Sequence, residues 1–298
     1  MSTVLPAAFA FSVVATFAVL LVGRRDAFGT DRLSAAALLL LVALPFLSLL
    51  PGWTVLPASE QARPGAPAFF VAWLLPAGMT VGLVRLLCAT RRLRHLIGKS
   101  RPVDQCLTPK GRRIEIRMLD EITSPCAAGV IRPVVLVPPH WSALQPAHRK
   151  MVLAHEIAHH HRRDPLWRLL GVLACALHWF NPLVWWLARH HAYQAELACD
   201  AAVLATGARP DRYAHLLCDL AQTRATPLVA AMAGSTLGRR MERLHQPRPR
   251  LTRAWLIAHL LLLVITGLAF GLSRPARPPV SSSEVHLRLT AEPFPGNR

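Results

Sequence analysis

Four stretches of 18 to 20 residues, at 4–22, 33–50, 66–84 and 254–273, contain no Asp, Glu, Lys or Arg. Each is long enough to cross a hydrocarbon core of about 30 Å as a helix. No lysine or arginine precedes the first stretch, and Arg24 and Arg25 follow it. That is the reverse of a cleavable signal, so the stretch reads as an anchor. With 53% apolar and 17% charged residues, the chain has too little charge for disorder and too much apolar surface for an ordinary soluble enzyme.

A net charge of +18 fits either nucleic acid or an anionic bilayer. Its distribution separates the two. Residues 89–253 hold 25 Lys and Arg against 11 Asp and Glu, and Arg24, Arg25 and Arg32 lie between the first two stretches. By the positive-inside rule both segments face the cytoplasm. The expected architecture is therefore a multi-pass α-helical protein of the cytoplasmic membrane with its N-terminus outside. Residues 1–88 supply three transmembrane helices, 89–253 a cytoplasmic domain, 254–273 a fourth transmembrane helix and 274–298 a short extracytoplasmic tail. Membrane lipid then accounts for the charge, and no direct nucleic-acid partner is expected. The six cysteines all fall at or within the cytoplasmic segment without a CxxC pair, so disulfides are not expected.

The cytoplasmic segment reads as α+β. Ile114, Ile116 and Met118 alternate with Glu115 and Arg117, the period of a half-buried strand. Pro133, Val134, Val135, Leu136 and Val137 form a second, and the two predict a small sheet. From Ser142 the period becomes helical, with Ser142 and Gln145 fitting a capping box, and Asp164 and Pro165 stop the helix near Arg163.

That helix carries His155-Glu156-Ile157-Ala158-His159, an HExxH motif. Four residues advance a helix by about 400°, so both imidazoles emerge on one face and can share a metal ion. Glu156 lies beside them, placed to deprotonate water. Composition alone predicts about 0.02 such arrangements in the chain. His160 and His161, which follow directly, read as a solvated or membrane-facing basic end. A catalytic zinc needs a third protein ligand, and Glu196-Leu197-Ala198-Cys199-Asp200 places two carboxylates at i and i+4. Glu196 is assigned as that ligand and Asp200 as acceptor for the free nitrogen of a ligating imidazole. A solvated helix face is the alternative for this pair, and Cys199 is a softer candidate ligand on another face. No oxyanion donor stands out among Tyr193, His190, His191, Tyr213 and His215.

The apolar run 169–188 would be a fifth crossing if read alone. A single crossing would put His159 and Glu196 some 30 Å apart, too far for one ion. The run must therefore return, and Asn181-Pro182 supplies a break for a membrane-associated hairpin over 165–188. Trp179, Trp185 and Trp186 suit its interfacial belt.

At these residues the chain resembles the BlaR/MecR-type integral-membrane metallopeptidases, a branch of the gluzincins. Ser124-Pro125, Gly129, Arg132-Pro133 and Val135-Leu136-Val137-Pro138 precede the zinc motif. Arg163-Asp164, His178-Trp179-Phe180-Asn181-Pro182 and the ExxxD segment follow it in the family's order. The resemblance implies a gluzincin-type metallopeptidase domain with one zinc ion. It also implies a protein substrate, a cytoplasmic transcriptional repressor cleaved or inactivated in regulatory signalling. The antibiotic sensors of that family carry a penicillin-binding domain after the fourth span, whereas 274–298 is short and no SxxK occurs. Drug acylation of this chain is not expected, and any such response would need a separate sensor protein. Two alternatives stand beside this reading. One is a membrane quality-control gluzincin protease, and the other a non-hydrolytic transducer with a structural zinc site, against which Glu156 argues. The Val134–Val137 strand is the expected platform for an extended substrate.

Overall fold

The computed structural model describes residues 30–47, 53–56, 66–107, 111, 113–222, 237–244, 257, 260–261, 264–265 and 273–275. The first apolar stretch, most of the fourth and the tail beyond 275 lie outside them.

Helix α1 (Thr30–Leu47) contains residues 33–47 of the second apolar stretch and α2 (Ala66–Lys99) the third, running on through Arg91, Arg92 and Arg94. Among the described residues, one helical segment is long and apolar enough to cross a membrane, Leu74–Lys99. Its side chains Leu74, Val81, Val84 and Leu87 are each more than half exposed. Strand β1 (Trp53–Leu56) pairs in parallel with β6 (Ser273–Pro275), which brings the loop after α1 beside the residues that follow 254–273.

A four-stranded sheet follows α2, built from β2 (Arg101–Leu107), β3 (Arg113–Met118), β4 (Cys126–Ala128) and β5 (Val134–Val137) in the order β2-β3-β5-β4. Strands β3 and β5 are parallel, with Ile116 opposite Val135, and the outer pairings are antiparallel. Ile114 and Ile116 are buried while Arg113 and Glu115 are exposed, as the alternation predicts. All four residues of β5 are buried, and both its edges are occupied. The expectation that Val134–Val137 pairs with a substrate is therefore corrected: an interior strand has no free backbone edge. Among the described residues the free edge on that side belongs to β4.

Helix α3 (Pro146–Arg162) begins three residues later than the capping box predicts. Ser142 is taken up in a 3-10 turn, Pro139–Ala143, anchored by buried Trp141, and Gln145 caps α3 without a side-chain hydrogen bond. Met151 and Val152 of α3 pack with Ile114, Ile116, Val135 and Val137 of the sheet and with Tyr213 and Leu216 of α6 (Pro210–Gln222). His160, expected to be solvated, is half-buried, with Nε2 3.0 Å from the Val134 carbonyl, so it ties α3 to β5.

Arg163 takes the left-handed conformation at φ 60°, which ends α3 and turns the chain directly into α4 (Asp164–Leu177). The run 169–188 reverses at His178–Asn181. Asn181 Oδ1 accepts from the Leu183 amide at 3.0 Å and Pro182 opens α5 (Pro182–Ala205), a strong helix start. Leu33, Ala37, Leu38 and Leu41 of α1 bury against Ala174 and Cys175 of α4 and Val184 and Leu187 of α5. His178 Nε2 lies 2.9 Å from the Leu41 carbonyl and secures the reversal.

Candidate metal centre

Helices α3 and α5 pack against each other and bring the two sequence motifs together. His155 Nε2 and His159 Nε2 are 3.2 Å apart. Glu196 Oε2 is 3.4 Å from His155 Nε2, and Glu196 Oε1 is 3.6 Å from His159 Nε2. A tetrahedral ion with bonds of about 2.0–2.2 Å has donor-to-donor edges of about 3.3–3.6 Å, close to all three separations.

The far sides of both rings are held. His159 Nδ1 donates to Asp164 Oδ2 at 2.7 Å. His155 Nδ1 donates to the Tyr213 oxygen at 2.9 Å, and the Tyr213 hydroxyl donates to Asp200 Oδ1 at 2.8 Å. With Nδ1 protonated in each ring, both Nε2 atoms turn lone pairs toward the Glu196 carboxylate. Three converging acceptors repel one another unless a cation lies between them, so the donor set fits a divalent metal ion.

The surrounding carboxylates favour a positive charge at the site. Burial works against a charge on His155, but the Asp200 and Glu196 carboxylates outweigh it and raise the imidazole to about 9. Burial likewise opposes ionisation of Glu196, yet His155 beside it and the nearby Arg240 hold it far below the usual carboxylate range. Asp200, fully buried, is lowered to about 2 because Arg240 and His155 overcome its desolvation. Arg168 donates to Glu196 Oε1 at 2.7 Å from the exposed side.

Cys199 lies behind the site. Its Sγ is 3.2 Å from His159 Nδ1 and 3.6 Å from Asp164 Oδ2, on the opposite ring edge from Nε2, and burial together with Asp164 raises its thiol far above the ordinary range. His159, Asp164 and Cys199 also approach one another closely, but there the short contact is the hydrogen bond that orients His159.

Glu156 is buried in the wall of a cavity of about 610 Å³ and accepts no hydrogen bond from any described residue. Its carboxylate therefore remains available for proton transfer. Cys126 and Ala127 of β4 border the cavity, Leu216, Leu217 and Leu220 of α6 form an apolar wall, and Arg189 of α5 also lines it.

The family described as BlaR1 peptidase M56 matches residues 68–244, more than half of the chain. The chain belongs to this family. It is also similar to the regulatory protein BlaR1 of Bacillus licheniformis, 34% identical over 154 residues that make up 47% of this chain and 25% of that relative. The chain thus spans about a quarter of the curated relative it matches.

The M56 match takes in every residue of the site, from β4 to the helical segment 237–244. The structure brings together all five residues singled out in the sequence, His155, Glu156, His159, Glu196 and Asp200. Asp200 reaches His155, at 3.3 Å directly and through Tyr213, while the acceptor for His159 is Asp164. Asp164 reads in the sequence as a helix stop and as part of the Arg163-Asp164 pair that the resemblance includes, without a role at the metal, although a carboxylate five residues after the second histidine is a usable signal. Arg240 has no local signal, because its partners are 40 and 44 residues away.

Proposed function

We propose that this M56 peptidase is a zinc endopeptidase that hydrolyses a protein substrate at the cytoplasmic face of the bacterial membrane, in regulatory signalling. One observation carries the reading. Three metal donors stand at tetrahedral spacing beside Glu156, which accepts no hydrogen bond among the described residues, in a cleft bordered by the edge strand β4.

His155, His159 and Glu196 would hold the ion. When bound, zinc supplies Lewis-acid polarisation of the scissile carbonyl and acidifies water. Glu156 takes the proton from the attacking water and passes it to the leaving amine. Asp164 keeps His159 in the tautomer that turns Nε2 inward, and Tyr213 with Asp200 does the same for His155. The β4 edge offers backbone groups for an extended peptide.

Membrane placement completes the proposal. The exposed apolar surface of α2 and the arginines at its end support a span with its C-terminal end in the cytoplasm. Spans at 4–22, 33–50, 66–84 and 254–273 around a peptidase domain at 89–253 follow from the charge pattern. The hairpin 165–188 is membrane-associated and returns to the side it left. The substrate is a cytoplasmic regulator, a transcriptional repressor above all, a reading supported by the regulatory role printed in the relative's name.

The test is proteomic. Full-length wild type and Glu156→Gln are expressed in a bacterial membrane, and new N-termini are mapped on cytoplasmic proteins. At least one protein gains a new N-terminus with wild type only. Identical N-termini in both would overturn the peptidase reading.

A further inference from the structure

Three nitrogens of one guanidinium connect the helical segment 237–244 to the ExxxD pair. Arg240 Nε donates to Asp200 Oδ2 at 2.9 Å, Nη2 donates to Asp200 Oδ1 at 2.7 Å, and Nη1 lies 3.3 Å from Glu196 Oε2. Asp200 is fully buried and the Arg240 side chain is 14% exposed. The Oδ1 atom that Arg240 grips also accepts from Tyr213, whose oxygen accepts from His155 Nδ1. The segment itself is fixed: Leu244 is buried among Tyr213, Leu216 and Val203, and Met241 packs on the same cluster. Nine residues, 245–253, separate it from the apolar stretch that begins at Ala254.

We propose that Arg240 is a further positioning residue of the metal centre, holding Glu196 and Asp200 in register with His155 and so tying metal affinity to the anchoring of segment 237–244. This rests on the metallopeptidase reading above. The rigid planar fork is what spans two carboxylates one helical turn apart; a lysine carries the same charge but only a point contact. Removing one partner of a buried ion pair leaves the other charge uncompensated, so Asp200 loses its fixed orientation and with it the grip on Tyr213. An opposing effect exists. Arg240 is a cation beside a metal ligand, and charge alone predicts tighter metal binding without it. The charge of Arg240 is already matched by Asp200 at 2.7 Å, so loss of orientation is the larger effect.

The two effects have opposite signs, which makes the test decisive. Zinc affinity of the detergent-solubilised full chain is measured by chelator competition for wild type, Arg240→Met, Arg240→Lys and the Asp200→Asn/Arg240→Met double variant, with the cobalt absorption spectrum as a second readout. Arg240→Met binds zinc about 10- to 100-fold more weakly, the range for loss of a partner that orients metal ligands. Arg240→Lys is intermediate, the double variant is no weaker than Arg240→Met, and the cobalt bands shift. Should Arg240→Met fail to fold, Arg240→Lys and the double variant, which leaves no buried unpaired charge, carry the comparison. Zinc affinity equal to or tighter than wild type in the folded variants, even with lowered thermal stability, overturns the proposal. A wild type that binds no zinc overturns the metallopeptidase reading instead, a result distinct from unchanged binding in the variants.

Discussion

The Oδ2 atom of Asp164 stands 2.7 Å from Nδ1 of His159, so the first residue of α4 fixes the imidazole on the last turn of α3. The contact depends on Arg163, whose left-handed backbone folds the chain back tightly enough for the two to meet. Asp164→Ala is expected to weaken zinc binding about 10- to 100-fold, since the ring loses its orienting partner. Chelator competition measures this. Wild-type affinity in a folded Asp164→Ala would remove Asp164 from the support of the metal centre.

Gly129 makes the turn between β4 and β5. Its φ is +81°, and a Cβ there would collide with the Arg132 carbonyl oxygen. Gly129→Ala is expected to cost about 1–3 kcal/mol, because both the backbone conformation and the close approach exclude a side chain. Thermal unfolding would report it, and proteolysis of a model substrate should fall as well, since the displaced strand is the free edge beside the cavity. An unchanged midpoint would mean that the turn relaxes at no cost.

Topology can be read independently of the metal. His161 and Ala205 are both exposed and lie on either side of the run 169–188. In a cysteine-free background, His161→Cys and Ala205→Cys are expected to react with a membrane-impermeant thiol reagent from the same, cytoplasmic, side. Labelling from opposite sides is incompatible with one ion shared by His159 and Glu196.

Local periodicity made much of this legible. The i and i+4 spacing in HExxH and ExxxD places each pair on one helical face whatever the rest of the chain does, and the structure joins the two faces. The alternation of Ile114 and Ile116 and the apolar run in β5 located half of the sheet. The other half was hidden: β2 begins Arg-Pro and lacks clean alternation, and β4 is three residues long, too short to set a period. The start of α3 was misplaced because Ser142 and Gln145 satisfy a capping pattern, while Pro139 and buried Trp141 draw Ser142 into a 3-10 turn. The roles of Tyr213 and Arg240 depend on contacts that span 58 and 40 residues, and no local rule reaches that far.

Metal content of the purified full-length chain tests the central claim most directly, because every assigned role converges on one ion between His155, His159 and Glu196. Wild type and Glu156→Gln are expected to carry one zinc per chain by elemental analysis, and His155→Ala, His159→Ala and Glu196→Ala to lose it while keeping the helical content of wild type. A folded Glu196→Ala that retains one zinc per chain, or a wild type that binds none when zinc is supplied, would contradict the account.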